Sequence, residues 1–279
     1  MPQHKEQQGF LTFAINSPEV DYLELAYTQA LNIKATQKQN SYAVVVDPAT
    51  AKLVTEEHRR VFDYVIESNP ATNPFSLEPQ VFWLTPFKET IKLEADLLFT
   101  RSIDHWWTAF RLKDVCLSTG TKNYVGLASA SRRYRELFDQ NSLPDTYNGL
   151  MYFRFSMPAK QFFIVASDLF TFWEEVKKEL THTDGPPTTD VVYALAAIIA
   201  GEEAVTMPSM DFLNFVHMKP AINGYPESDS FRDVFVPEFE SGMIRINNIN
   251  QYHPIHYHEK DFVTEEMREY FRSRINQSS

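Results

Sequence analysis

Tyr42-Ala43-Val44-Val45-Val46-Asp47-Pro48 is an unbroken apolar, largely β-branched run that stops at an Asp-Pro pair. β-branched side chains favour the pleated backbone, and a run without polar alternation suits a strand covered on both faces. Upstream of it, Leu23, Tyr27, Ala30, Leu31 and Ile33 recur at helical spacing within residues 21–36. Further upstream, the apolar residues 9–14 read as a first strand. Residues 16–20 read as a turn in which Ser17 can cap a helix and Pro18 can open it. Downstream, a polar helix over residues 55–62 leads into a third strand, 64–66. The order β-α-β-α-β predicts a mainly parallel sheet flanked by helices, an α/β Rossmann-like arrangement.

Beyond this core, residues 68–79 read as a loop and 81–84 as a short helix or strand. Residues 90–93 and 115–118 read as strands, and 103–110 as an amphipathic helix carrying Trp106 and Trp107. A polar loop over 141–148 precedes a strand at 149–155, and a single helix is expected over 158–180. A buried helix follows at 190–200, and the chain ends in a helix from residue 264 to about residue 272. No internal repeat or shift of composition marks a boundary, so a single domain is expected.

The 279 residues are 43% hydrophobic and 14% aromatic, which supports a sizeable core. Residues 1–8 are polar and are expected to form a flexible terminus, and no secretory signal is visible. The apolar run 191–200 is about half of what crosses a bilayer. A cytoplasmic location without membrane contact is expected (the host cytoplasm, if the chain is phage-encoded). Cys116, within Val115-Cys116-Leu117, is the single cysteine, so no intramolecular disulfide forms and a buried small hydrophobe is expected. A net charge of −11 argues against a broad electropositive surface for nucleic acid. Arg132-Arg133-Tyr134-Arg135 is either a solvated helix face or a local basic patch. The chain carries no P-loop, nucleophile elbow, G-x-G-x-x-G or C-x-x-C motif.

The chemistry concentrates in Thr90-Ile91-Lys92-Leu93-Glu94-Ala95-Asp96-Leu97-Leu98-Phe99. Two acids two positions apart at the end of an apolar strand point to the same side of an extended backbone. They can share one hard cation, Mg²⁺ or Mn²⁺, which in turn binds phosphate oxygens. Alone, such a pair is also compatible with two solvated loop acids. Strand-end acids beside a cleft fit the place where ligands bind in open α/β sheets.

Residues 86–99, with Ile103-Asp104-His105-Trp106-Trp107 after them, resemble phage-type proteins related to the glycogenin-like glycosyltransferases. That resemblance implies a GT-A fold and a D-x-D metal motif, in which Glu94 stands where Asp is usual and Asp96 is the firmer metal ligand. Phe10-Leu11-Thr12-Phe13-Ala14 and Asp21-Tyr22-Leu23 resemble the family's first strand and helix, which implies donor contacts at Thr12, Ala14 and Asp21. Tyr147-Asn148-Gly149-Leu150 resembles the strand lining the donor sugar, which implies roles for Asn148 and Gly149. His256-Tyr257-His258-Glu259-Lys260 resembles the element that closes over the diphosphate, with His256 on the metal (His258 the alternative) and Lys260 on phosphate. Asp190 is either a helix cap or first-turn acid, or, by the resemblance, the acid near donor sugar and acceptor. His217, in His217-Met218-Lys219-Pro220, is either structural or in contact with a ligand.

The resemblance covers about residues 9–270. It implies a nucleotide-binding half, 9–110, and an acceptor-binding half, 111–279. The implied reaction transfers a sugar from a nucleoside-diphosphate donor such as a UDP-sugar to an acceptor hydroxyl, a transfer that the glycogenin-like relatives carry out with retention. A hydroxymethylated pyrimidine in phage DNA is the leading acceptor, with Trp106, Trp107 or Tyr134 available to stack on a displaced base. A glycan or small-molecule acceptor, or a non-catalytic nucleotide-sugar-binding protein, is the alternative.

Overall fold

The computed structural model describes residues 6–69, 74–129, 135–181, 185–207, 213–226 and 229–278. Its first half runs β1 (Glu6–Phe13), α1 (Tyr22–Thr36), β2 (Tyr42–Val46), α2 (Pro48–Ala51), α3 (Glu56–Val61) and β3 (Tyr64–Glu67). Then come α4 (Val81–Leu84), β4 (Phe87–Leu93), β5 (Leu97–Leu98), α5 (Trp106–Phe110), β6 (Val115–Thr119), α6 (Glu136–Gln140) and β7 (Thr146–Arg154). The helices α7 (Met157–Thr171), α8 (Trp173–Val176), α9 (Thr189–Ala200) and α10 (Glu202–Val205) follow. The last part comprises β8 (Val216–His217), α11 (Phe231–Val234), β9 (Pro237–Glu240), β10 (Met243–Ile246), β11 (Ile249–Asn250), β12 (Ile255–His256) and α12 (Glu265–Ser278).

The central sheet has six strands in the order β3-β2-β1-β4-β7-β6. β1 lies parallel to β2 and β4, β2 lies parallel to β3, and β7 runs antiparallel to both its neighbours. Strand parity divides the core, because successive side chains point to opposite faces. Tyr42, Val44 and Val46 pack with Leu23, Ala26 and Ala30 of α1 and with Phe271 of α12. Ala43 and Val45 face the other way, into a cluster with Phe163 of α7 and Val192 of α9. The mainly parallel α/β sheet with helices on both faces is therefore as expected.

Several boundaries differ from the sequence reading. β1 begins at Glu6, so residues 6–8 are strand rather than loose terminus, while 1–5 lie outside the described residues. Asp21, not Ser17, caps α1, accepting from the Glu24 amide. Ser17 instead closes its own turn by accepting from Val20. Residues 81–84 are helical, and within 103–110 only Trp106–Phe110 are. β7 starts at Thr146, so Tyr147 and Asn148 are buried strand residues rather than loop. The helix expected over 158–180 stops at Thr171, and Phe172 separates it from α8. α9 is buried in its first two turns only, Ile198 and Ile199 being exposed. Cys116 is fully buried, and burial pushes its thiol up to about 12. Among the described residues no helix is long and apolar enough to cross a membrane.

A buried polar stripe on α1 ties the sheet to the segment after β4. Gln29 Nε2 donates to the carbonyls of Glu94 and Leu97, each at 2.7 Å. Its Oε1 accepts from Thr12 Oγ1 at 2.6 Å and from the Tyr42 hydroxyl at 2.8 Å. Asn32 does the same one turn on, pairing with both the amide and the carbonyl of Phe99. These two amides fix the backbone from 94 to 99.

Two outcomes follow from these contacts. Gln29→Ala would remove four hydrogen bonds at once, and a loss of about 2–4 kcal/mol is expected in urea unfolding. A Cβ at position 9 would sit 2.4 Å from the ring of Phe87, which is itself fully buried. Gly9→Ala is therefore expected to cost about 1–3 kcal/mol by overpacking. Wild-type unfolding midpoints in either variant would contradict the packing described.

Candidate functional site

β4 delivers the acids. It ends at Leu93 in the middle of the sheet, and the chain leaves the carboxyl edge through Glu94, Ala95 and Asp96. The Glu94 amide donates to the Gly149 carbonyl of β7 at 3.0 Å, so the first acid stays tied to the sheet. A second, three-stranded sheet in the order β5-β12-β8 then brings in the C-terminal segment. In it His256 lies opposite Leu97 on one side and His217 on the other. The Tyr257 amide donates to the Asp96 carbonyl at 3.1 Å. This pairing brings residue 256 beside residue 96.

His256 Nε2 lies 3.1 Å from Asp96 Oδ1 and 3.1 Å from Glu94 Oε2. Asp96 takes the hydrogen bond, while Glu94 stands at contact distance. Lys260 Nζ pairs with the other Asp96 oxygen, Oδ2, and lies 5.5 Å from the centroid of the Tyr22 ring. One ligand atom from each of Glu94, Asp96 and His256 lies within 4.8 Å of the other two. Two carboxylates and one imidazole suit a divalent cation of the Mn²⁺ type, and also Mg²⁺ where water completes the shell. The residues present therefore fit a metal.

The charges of the site are strongly coupled. Burial opposes ionisation of Asp96, but the charges of His256 and Lys260 outweigh it and hold Asp96 well below the usual carboxylate range. Burial raises Glu94, only partly offset by His256. For His256 burial works downward, and the two carboxylates reverse it, so its pKa is raised. Burial, followed by the charge of His256, pushes His258 down to about 2 and His217 well below its usual value. His256 thus bridges the two carboxyl groups, and Lys260 pairs with Asp96 alone.

The acids and the C-terminal segment open onto a cavity of about 420 Å³. Phe13, Ile15, Asn16, Ser17 and Tyr22 form one wall, and Glu94, Asp96, His256, His258 and Lys260 the other. The volume lies within the range of small-molecule sites. Glu78 also lines it, paired at 2.7 Å with Lys92, a fully buried lysine that donates to the Asn148 carbonyl at 3.3 Å.

The cavity corrects part of the expected donor set. Thr12 and Ala14 are fully buried and point away from it, Thr12 toward Gln29 and the Leu93 carbonyl. Strand parity assigns the wall to Phe13 and Ile15 instead. Asp21 stands just outside as the cap of α1, held by Asn16 Nδ2 at 2.9 Å. Asn148 is buried behind the site, its amide donating to Asp190 Oδ1 at 2.6 Å. Its Oδ1 has no partner among the described residues. Gly149 lies against Glu94, where an added Cβ would meet Glu94 Oε2 at 3.5 Å and Phe215 at 3.2 Å.

Asp190 lies in the first turn of α9, where Thr188 is the cap residue. It is near enough for its charge to raise Glu94, and its Oδ2 is 3.9 Å from Arg135. Arg135 is buried rather than a solvated cation. It stacks on Phe138 and Tyr147 at 3.5 and 3.9 Å and pairs with Asp145. Arg132, Arg133 and Tyr134 lie outside the described residues. Trp106 and Trp107 are each 3% exposed, so neither is placed to stack on a displaced base.

Sequence reasoning missed Gln29, Asn32, Lys92 and Glu78. A polar pair three apart on the apolar face of α1 was the available signal for the first two, and a lysine inside an apolar strand for the third.

No family model matches the chain, and no curated protein matches it. Solved structures do. Mouse xyloside xylosyltransferase 1 in its apo form aligns with a TM-score of 0.57 at 12% identity, covering 90% of this chain and 97% of that one. The galactosyltransferase LgtC, in complex with donor and acceptor sugar analogs, aligns with a TM-score of 0.55 at 12% identity over 96% and 95% of the two chains. The apo form of the glycosyltransferase GlyE of Streptococcus pneumoniae TIGR4 gives 0.51 at 8% identity, covering 97% of this chain and 62% of that one. The chain therefore has the GT-A fold of these glycosyltransferases, as a single α/β domain built on a six-stranded, mostly parallel sheet.

Proposed function

We propose that the chain is a metal-dependent glycosyltransferase that moves a sugar from a nucleoside diphosphate, a UDP-sugar in the first instance, to an acceptor hydroxyl. The observation that carries this is the meeting of Asp96, Glu94, His256 and Lys260 on one rim of a cavity at the carboxyl edge of β4. Asp96, His256 and Glu94 would hold Mn²⁺ or Mg²⁺. When bound, the cation supplies positive charge where the leaving diphosphate becomes more negative. Lys260 adds an ammonium at the same rim, on a flexible stem that can follow the phosphates. Tyr22, Asn16 and Phe13 on the facing wall offer an aromatic and hydrogen-bonding surface to the nucleoside. Gly149, packed beside Glu94 and Phe215, lets the Glu94 carboxylate lie close against β7.

Asp190 is the residue we assign to the sugar or the acceptor hydroxyl. Its Oδ1 is engaged by the Asn148 amide, which fixes the carboxylate, and its side chain is 39% exposed. For the acceptor, a glycan or small molecule is favoured over a hydroxymethylated pyrimidine in phage DNA. Burial of Trp106 and Trp107 removes the described residues offered for base stacking, and the net charge is −11.

Donor binding is expected to raise the melting temperature of the wild type with Mn²⁺ and to fail in EDTA. Asp96→Ala should abolish the Mn²⁺-dependent shift and lower release of UDP from the donor by about a hundredfold or more. Undiminished shift and turnover in Asp96→Ala would remove the site. Donor binding with no UDP release by the wild type under any acceptor would leave a non-catalytic binder instead. Asp190→Asn keeps an oxygen for the Asn148 amide while removing the charge. It should retain the donor-induced shift and lose about tenfold or more in rate. An unchanged rate would reduce Asp190 to a structural role.

A further inference from the structure

Beside the acid pair lies a cluster of three histidines of which the proposed reaction uses only His256. His217, His256 and His258 each offer one ring nitrogen, and the three atoms lie within 4.8 Å of one another. The rings are packed face to face. His217 and His256 have centroids 4.8 Å apart at 13°, and His217 and His258 4.5 Å apart at 22°. His256 and His258 are 4.2 Å apart.

His258 Nε2 lies 2.9 Å from His217 Nδ1 and 3.5 Å from His217 Nε2. The two rings are slipped past each other, so one ring nitrogen of each meets the other at hydrogen-bond distance, and a cation between them would take the place of that shared proton. Those separations bracket the roughly 3.3 Å that two imidazole nitrogens adopt on a tetrahedral zinc with bonds of about 2.0–2.1 Å.

Two further observations point the same way. His256 Nδ1 is buried with no partner among the described residues. His258 holds φ at +58°, a left-handed backbone unfavourable for a residue other than glycine. The fold thus tolerates local strain where it lays the His258 ring on its neighbours.

We propose that His217, His256 and His258 form a second cation position, made of imidazole nitrogen alone, that shares His256 with the Glu94–Asp96 position and takes Zn²⁺ or Cu²⁺. Imidazole suits these cations, whereas carboxylate oxygens suit Mn²⁺ and Mg²⁺. Two divalent cations astride one imidazole would repel strongly in a buried setting. The two positions therefore fill one at a time, and Zn²⁺ acts as an antagonist of the cation held by the acids. The nitrogen position stands on its own geometry and does not require that the chain transfer a sugar. Its antagonism with Mn²⁺ rests on the metal position assigned to Glu94, Asp96 and His256.

The test uses the full chain and two cations without donor. Free Mn²⁺ is followed by its electron paramagnetic resonance signal while Zn²⁺ is added. In the wild type one Zn²⁺ should release one bound Mn²⁺. In His217→Gln/His258→Gln, Mn²⁺ binding should persist and the Zn²⁺ required should rise about tenfold or more. Equal displacement in both proteins, or Zn²⁺ bound together with Mn²⁺, would overturn the proposal. A Cu²⁺ spectrum keeps the nitrogen site testable where Mn²⁺ does not bind or the double variant does not fold. Nitrogen splitting from three imidazoles in the wild type should fall to two in His258→Gln alone, and an unchanged splitting pattern would refute the assignment.

Discussion

The contact on which the site depends is the one between Asp96 and His256, two residues 160 positions apart whose side chains meet at 3.1 Å. Neither side chain creates that proximity. It is imposed by the backbone, through the antiparallel pairing of β12 with β5 and the Tyr257 amide on the Asp96 carbonyl. Gln29 and Asn32 hold the same segment from the α1 side. A buried carboxylate and imidazole would be costly to bring together alone. Here the surrounding hydrogen bonds fix the geometry, and the two charges stabilise each other within it.

The arrangement also separates two kinds of work. Backbone pairing and the α1 amides position the groups, while the side chains at the rim remain available to a ligand. Glu94 keeps about a third of its side chain open to the cavity, and Lys260 about the same. A ligand that supplies positive and negative charge together, such as a metal-bound diphosphate, can replace the internal pairing without unfolding any of it.

Much of the fold was legible because its signals are local. The β-branched run 42–46 and the helical spacing from Leu23 to Ile33 depend on neighbouring residues only, and both elements form where expected. The carboxylate pair was legible for the same reason. What failed depended on distant partners. Thr146-Tyr147-Asn148 looks like loop because the groups that pair with its backbone, Arg135 on the Thr146 carbonyl and Asp190 on the Asn148 amide, lie elsewhere in sequence. The resemblance implies Thr12 and Ala14, whereas Phe13 and Ile15 line the cavity, because a short strand does not declare which parity faces a cleft. His217 gave no sign of its place until β8 paired with β12 and set it beside His256.

The central claim is that one cation is gripped between Asp96 and His256. The most direct measurement is crystallography of the full chain grown with MnCl₂ and UDP, with data collected at the manganese absorption edge. The account predicts a single anomalous peak within bonding distance of an Asp96 carboxylate oxygen and His256 Nε2, with the diphosphate on its far side. UDP bound with no manganese at that position, or manganese held elsewhere while His256 still bonds directly to Asp96, would contradict it.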